Sequence, residues 1–428
     1  MTGMSFFHGE IRGSLTVPSS KSYSQRMILL AMVGREQVIL DHISFCDDEN
    51  AAINLARSCG STVTLKGSTV IIDPDFQCPV KVNVGESATL YRLSIGVLAA
   101  MGCRTEFTGS TGLAMRPIDP LIRGLSECGV RFTIKQDGFT VMDATGRHPA
   151  KVLMDQSVSS QFVSSMILFN SLTESDQYLE TRNAVSISYV KITVDALKQF
   201  GYEVLSSCEG YQYIGRRSPA RKFWIEGDYS SALFPVVLGS LSSDAGIKIL
   251  GLKSDSLQAD RKTLDLLVAH SAGGIKTISG EKFEVIAATS EYDAISIDAS
   301  EVPDSCPPAG VIGIFSSNGI SILNPDRLRT KESDRLSGIA KMGELFGASV
   351  TSLSGSLSIA RGSLKTPQEY TGSDHRMLMS AIIAAVAANG RTLFHDLGVI
   401  NKSYPGFIRD LREVGIEGAT DGQVKKAL

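Results

Sequence analysis

Three acidic side chains stand among cations in this 428-residue chain. Glu332 and Asp334 lie within Lys331-Glu332-Ser333-Asp334-Arg335, and Asp304 lies in EVPDSCPP. One reading pairs each with a neighbouring Lys or Arg. The other makes them general acids or bases beside anionic substrates, a role worth about 10²–10⁴ in rate. Spacing alone leaves both open. Further cations accompany them: Lys21 and Arg26 in PSSKSYSQR, Arg92 in ATLYR, Arg116 in TGLAMRP, Arg376 in DHRM and Lys402 in NKSYPGF. Guanidinium forks bind phosphate and carboxylate bidentately. One ligand with two or three anionic groups, or two anionic ligands together, would call for such a set.

Lys21, Arg26, Arg92 and Arg376 sit where small polar loops run into apolar helices. Six copies occur: SSKSYSQRMILLAMV, GESATLYRLSIGVLAA, VSSQFVSSMILFNSL, DYSSALFPVVLGSL, DSCPPAGVIGIFS and SDHRMLMSAIIAAVA. Taking Ser22, Ser87, Ser159, Ser230, Ser305 and Ser373 as markers, they recur every ~65–75 residues, a repeat signature. A helix N-terminus offers unsatisfied N–H groups to an anion, and small residues leave it approachable. For any single copy, plain N-capping by Ser or Asp explains the residues as well. The helices are apolar nearly all round and should be buried, and Pro235 should bend or shorten its own. A second signature interleaves: a helix end, a Gly, a strand, a turn and a strand. It centres on Gly60, Gly129, Gly201, Gly274 and Gly347, with a shorter copy at Gly415, and hairpin turns are expected at Gly67, Gly138, Gly210, Gly280 and Gly355.

Six units of about 70 residues account for nearly the whole chain. Their mixture of helices and strands gives the α/β class with mixed sheets, and a chain this long should group them into two domains. Lys plus Arg number 42 against 45 Asp plus Glu, a net charge of -3. That balance argues against nucleic-acid or membrane-surface binding through bulk positive charge. The seven cysteines are odd in number and lack a Cys-x-x-Cys, so buried reduced thiols of a cytoplasmic protein are expected rather than a disulfide framework or a zinc site. The first residues do not read as a signal peptide, and no apolar run is long enough to span a membrane.

SKSYSQR, SSQF (159–162), LRTKESDR (328–335), DHRM (374–377) and KSYP, in this order, resemble the 5-enolpyruvylshikimate-3-phosphate synthase family over essentially the whole chain. The resemblance implies an inside-out α/β barrel fold: two domains, each of three βαβαββ units about a pseudo-threefold axis. Residues 20–226 would form one domain, and 1–19 with 227–428 the other, with a cleft closing on substrate. It implies transfer of the enolpyruvyl group of phosphoenolpyruvate to the 5-hydroxyl of shikimate 3-phosphate, with release of phosphate, by addition and elimination. Lys21, Asp304 and Glu332 would be catalytic. Lys21, Ser22, Arg26, Ser159, Ser160, Gln161, Ser186, Tyr189, Asp304 and Lys331 would meet shikimate 3-phosphate. Lys21, Arg92, Arg116, Gln161, Arg335, Arg376 and Lys402 would meet phosphoenolpyruvate. No cofactor or metal is expected, and the protein would work as a monomer on small molecules.

Three departures from the family pattern stand out. Ala88 replaces a loop Gly, Tyr229 replaces an Ala, and Gln258-Ala259-Asp260 replaces Gln-Gly-Asp. The added methyl at Ala88 should narrow the phosphoenolpyruvate pocket and weaken inhibition by glyphosate. The rival reading is the related transferase acting on UDP-N-acetylglucosamine. That family has Lys-Asn where Lys21-Ser22 stands and a Cys where Thr111 stands. A non-catalytic anion-binding protein on the same repeats would be expected to lack Lys21, Asp304 or Glu332.

Overall fold

A computed structural model describes residues 3–183, 185–280 and 282–420. The chain divides into two compact units, residues 19–225 and residues 1–18 with 226–428. Each is described by itself, as the N-terminal and the C-terminal unit.

Every sheet among the described residues has four strands in one pattern: a parallel pair, then two antiparallel neighbours. In the N-terminal unit one sheet runs Lys222–Trp224, Val38–Asp41, Thr69–Asp73, Thr62–Lys66. A second runs Lys81–Asn83, Arg104–Thr108, Thr140–Asp143, Arg131–Ile134, and a third Val152–Asp155, Leu179–Arg182, Gly210–Arg216, Tyr202–Ser206. The C-terminal unit repeats the plan. Gly13–Thr16 lies parallel to Ile247–Leu250, followed by Phe283–Ala287 and Ile275–Ser279. Ile295–Asp298 and Ile320–Leu323 precede Ser356–Ala360 and Ser349–Leu353. In the last sheet Glu369–Tyr370 and Leu393–Phe394 are followed by Met4–His8 and then Ile416–Thr420. The shortened sixth copy around Gly415 thus receives its missing strand from the start of the chain.

Strands such as Ile295–Asp298 alternate buried and exposed side chains, which leaves one sheet face for the core and one for solvent. The core face meets the six apolar helices Lys21–Met32, Ala88–Ala100, Ser160–Leu172, Tyr229–Ser242, Cys306–Phe315 and His375–Ala387. These are buried along almost their whole length, and each unit has its own apolar core around three of them. Close approach is built in: a Cβ on Gly96 would lie 2.2 Å from the Ser165 carbonyl oxygen, so Ala88–Ala100 and Ser160–Leu172 meet backbone to backbone.

Four local expectations are corrected. The helix Tyr229–Ser242 continues through Pro235 without shortening. Packing on all sides sustains it although the Ser231 carbonyl lacks its usual donor. At the fourth repeat Gly273, not Gly274, takes the left-handed conformation (φ 82). Gly210 is not a turn residue: it lies in a strand, where a Cβ would come within 2.1 Å of the Leu179 carbonyl. Finally, Cys78 and Cys103 form a disulfide. The parallel pairing of Lys81–Asn83 with Arg104–Thr108 brings their two flanks together, a proximity no sequence spacing announces. Cys46, Cys59, Cys128 and Cys306 are buried free thiols and Cys208 is exposed.

Candidate active site

In the N-terminal unit, the helix Lys21–Met32 begins at Ser20, which makes no side-chain cap of its own. Lys21 at its first turn reaches Asp48 at 2.9 Å. Asp48 belongs to the acidic first turn of the helix Asp47–Ser58. Arg26, one turn further, is buried and fully engaged: Nε donates to Thr193 Oγ1 (2.7 Å), Nη1 to the Ser22 carbonyl (2.6 Å) and Nη2 to the Tyr189 carbonyl (3.2 Å). Burial pushes its guanidinium down to about 10, still charged at neutral pH. These bonds tie Lys21 and Ser22 to the start of the helix Ile187–Gln199, where Ser186 holds a left-handed conformation (φ 48) with Tyr189 one turn on. A non-glycine residue there costs of order 1 kcal/mol and persists only when its surroundings impose it.

A second group forms around Arg92. Ser87 caps its helix by accepting from the Leu90 N–H, and its hydroxyl donates to Gln25. Arg92 donates to Gln161 Oε1 (2.7 Å), to Ser159 Oγ (3.4 Å) and to the Pro117 carbonyl (2.7 Å), and lies over the Phe162 ring. Gln161 in turn donates to Thr89. Ser159 caps Ser160–Leu172, and Ser160 is buried beside it. Arg116 is half-buried just after the helical turn Thr111–Ala114. Ser20 Oγ and Gln25 Nε2 are buried with no partner among the described residues, which leaves hydrogen-bonding capacity for a ligand or water.

In the C-terminal unit the charges converge on Arg335, whose side chain is 1% exposed. Its guanidinium donates to Asp374 (2.8 Å), Asp304 (2.5 Å) and Glu332 (2.7 Å). Lys331 lies 3.6 Å and Arg376 3.7 Å from Asp304. Burial alone would raise the Asp304 carboxyl, but Lys331, Arg376 and Arg335 outweigh it and hold it well below the usual range. Burial draws Lys331 down, with Asp304 opposing. The acids draw Arg335 up against its burial. Arg376 keeps Nη1 buried without a partner. Lys402 is buried at the end of the helical turn Leu397–Lys402. Asp334 takes the bland alternative: it caps the helix Arg335–Leu345 and pairs with Arg329.

The structure therefore joins Lys21, Ser22, Arg26, Ser186 and Tyr189 into one cluster and Arg92, Ser159 and Gln161 into another. Asp304, Lys331, Glu332, Arg335 and Arg376 form a third. Sequence reasoning missed Asp48, Asp374 and Thr89. An acidic run opening a helix (Cys46-Asp-Asp-Glu) was the available signal for Asp48. Asp374 shares a motif with Arg376 but pairs with Arg335, 39 residues away. At the departures, Ala88 opens its helix, and Tyr229 is buried with its hydroxyl on the Lys253 carbonyl. Gln258 bridges Glu226, the Gly227 carbonyl and the Tyr229 N–H. Among the described residues no cluster of His, Cys, Asp and Glu could hold a metal, and no helix is long and apolar enough to cross a membrane.

The sequence profile of EPSP synthase (3-phosphoshikimate 1-carboxyvinyltransferase) matches residues 8–411. The 3-phosphoshikimate 1-carboxyvinyltransferase of Picrophilus torridus is 41% identical over 408 residues, covering 95% of this chain and 97% of its own. That of Thermoplasma volcanium is 38% identical over 400 residues, covering 93% and 95%. An EPSP synthase structure from Acinetobacter baumannii superposes with a TM-score of 0.80 at 20% identity, covering 98% of this chain and all of that one (100%). The enolpyruvyl transferase NikO from Streptomyces tendae gives 0.77 at 15% identity, with 98% and 100% covered. The two structures share the fold.

Proposed function

The chain belongs to the EPSP synthase family, and on that premise we propose that it transfers the enolpyruvyl group of phosphoenolpyruvate to the 5-hydroxyl of shikimate 3-phosphate and releases phosphate. The match across residues 8–411 carries the assignment of the reaction. The reading of the site rests on the chemistry of the residues. Ser22, Arg26, Ser159, Ser160, Gln161, Ser186, Tyr189 and Lys331 hold shikimate 3-phosphate. Arg92, Arg116, Arg335, Arg376 and Lys402, with Gln161, neutralise the phosphate and carboxylate of phosphoenolpyruvate. Lys21 meets both substrates.

Asp304 takes the proton of the attacking hydroxyl. Glu332 delivers a proton to the methylene carbon as the hydroxyl oxygen adds to C2. The tetrahedral intermediate then loses phosphate as a proton leaves the methyl group. Fixed cations suit this sequence, because charge that builds during addition meets donors that need not reorganise. Arg376 supports that role, since its buried Nη1 has no partner among the described residues. We further propose that the enzyme works as a monomer and without a cofactor. The sugar-nucleotide transferase reading is not favoured.

The test is phosphate release with both substrates, compared with either alone, in the wild type and in Glu332→Gln. Release should require both substrates and should fall about 10²-fold or more in the variant. Release from phosphoenolpyruvate without shikimate 3-phosphate contradicts the assignment.

A further inference from the structure

Asp260 immediately precedes the helix Arg261–His270, at its N-cap position. An Asp there ordinarily turns its carboxylate onto the free N–H groups of its own helix. This one makes no such bond. Its Oδ1 instead accepts the hydroxyl of Ser305 at 2.5 Å, across 45 residues of sequence. Ser305 follows Asp304 directly. Asp260 is 2% exposed, so its charge is removed from water. The groups that face it are Asp304, Ser305 and Cys306 at the start of Cys306–Phe315, Arg376 from His375–Ala387, and Asp228 at the cap of Tyr229–Ser242. On its own helix, Arg261 is directed to Asp265 and Lys262 to Glu301. A third carboxylate beside two others, with Arg376 the facing cation, is unfavourable for stability.

We propose that Asp260 is a positioning residue for the reaction, whose buried negative charge beside the Asp304–Ser305 turn opposes the cations around Asp304 and so favours transfer of the hydroxyl proton to it. The inference rests on the reading of Asp304 given above. Lys331, Arg335 and Arg376 hold the Asp304 carboxyl low, and a carboxylate held so low is a poor base. A like charge adjacent to it raises its affinity for a proton. The hydroxyl of Ser305, the residue after Asp304, holds the Asp260 carboxylate in place. Burial, with Asp304 adding, pushes Asp260 up to about 6, so it loses its charge on mild acidification and Asp304 then weakens as a base.

The experiment follows phosphate release by the full chain with both substrates, from about pH 5 to about pH 9. The wild type, Asp260→Asn, Asp260→Glu and Ser305→Ala are compared. Asp260→Asn should lower kcat about three- to tenfold at neutral pH, the Brønsted consequence of roughly one to two units of base strength, with KM little changed. The acidic arm of the kcat profile near pH 6 should vanish with it. Ser305→Ala and Asp260→Glu keep a charge at the position and should keep an acidic arm. An arm that survives in Asp260→Asn, or is lost equally in all three variants, overturns the proposal. Absence of phosphate release by the wild type would instead strike the functional reading itself.

Discussion

Arg335 is the side chain whose loss should be felt most. In Arg335→Met the volume is nearly kept and the charge goes. Three carboxylates then lose a donor at 2.5–2.8 Å. Asp304 retains Lys331 and Arg376 nearby, whereas Asp374, 1% exposed, keeps the Ser333 hydroxyl, the Arg376 N–H and a more distant His375 among the described residues. Removing one partner of a buried ion pair costs about 3–5 kcal/mol, because the other charge stays buried. For a unit of this size that is a fall in Tm of roughly 10 °C. The pH dependence has a definite sign. Arg335 helps hold Asp374 and Asp304 below their usual range. Their stabilisation is present above the unfolded carboxylate value near 4 and is lost as pH falls through the lower folded values. The variant should therefore be most inferior to the wild type at neutral pH and less so below about pH 4, where its orphaned acids protonate. Calorimetry at both pH values measures this. A second change, Asp374→Asn, should restore part of the loss in the Arg335→Met background. A loss below about 1 kcal/mol, or one independent of pH and of Asp374, would refute the picture of Arg335 as the charge that compensates three acids.

Ala88→Gly removes the methyl at the first residue of its helix, and glyphosate inhibition should tighten about tenfold or more, the worth of one methyl in a pocket. An unchanged inhibition constant removes Ala88 from the inhibitor pocket. Cys103→Ser opens the crosslink to Cys78 and should cost about 3 kcal/mol, seen as a lower Tm. Reductant should lower the wild-type Tm to match and leave the variant unmoved. A variant as stable as the oxidised wild type shows that the crosslink contributes nothing.

The repeats were legible because each copy solves a local problem. A helix must end, a hairpin must turn, and an apolar helix must find a core. Ser87, Ser159 and Asp374 cap their helices as residue type suggests. Some of the cations were legible for a related reason, since Lys21, Arg92 and Arg376 sit beside such starts. Their counter-charges were not. Asp48 and Asp374 are far in sequence from the cations they meet, and only sheet and helix packing sets those distances. Pro235 shows the same limit from the other side, because it does not shorten a helix that its surroundings bury almost throughout. Cys78 and Cys103 are 25 residues apart, and strand register alone juxtaposes them.

The opening strands Met4–His8 and Gly13–Thr16 pair with Ile416–Thr420 and Ile247–Leu250. This fixes a schedule for the nascent chain. Residues 19–225 have every strand of their three sheets once Trp224 has emerged, and can fold while synthesis continues. Gly13–Thr16 finds its partner once Ile247–Leu250 has emerged, whereas Met4–His8 must wait for Leu393–Phe394 and Ile416–Thr420. A polypeptide halted between residues 226 and 416 would carry a finished unit attached to one that cannot close its last sheet, with the strand Met4–His8 exposed for quality control to recognise.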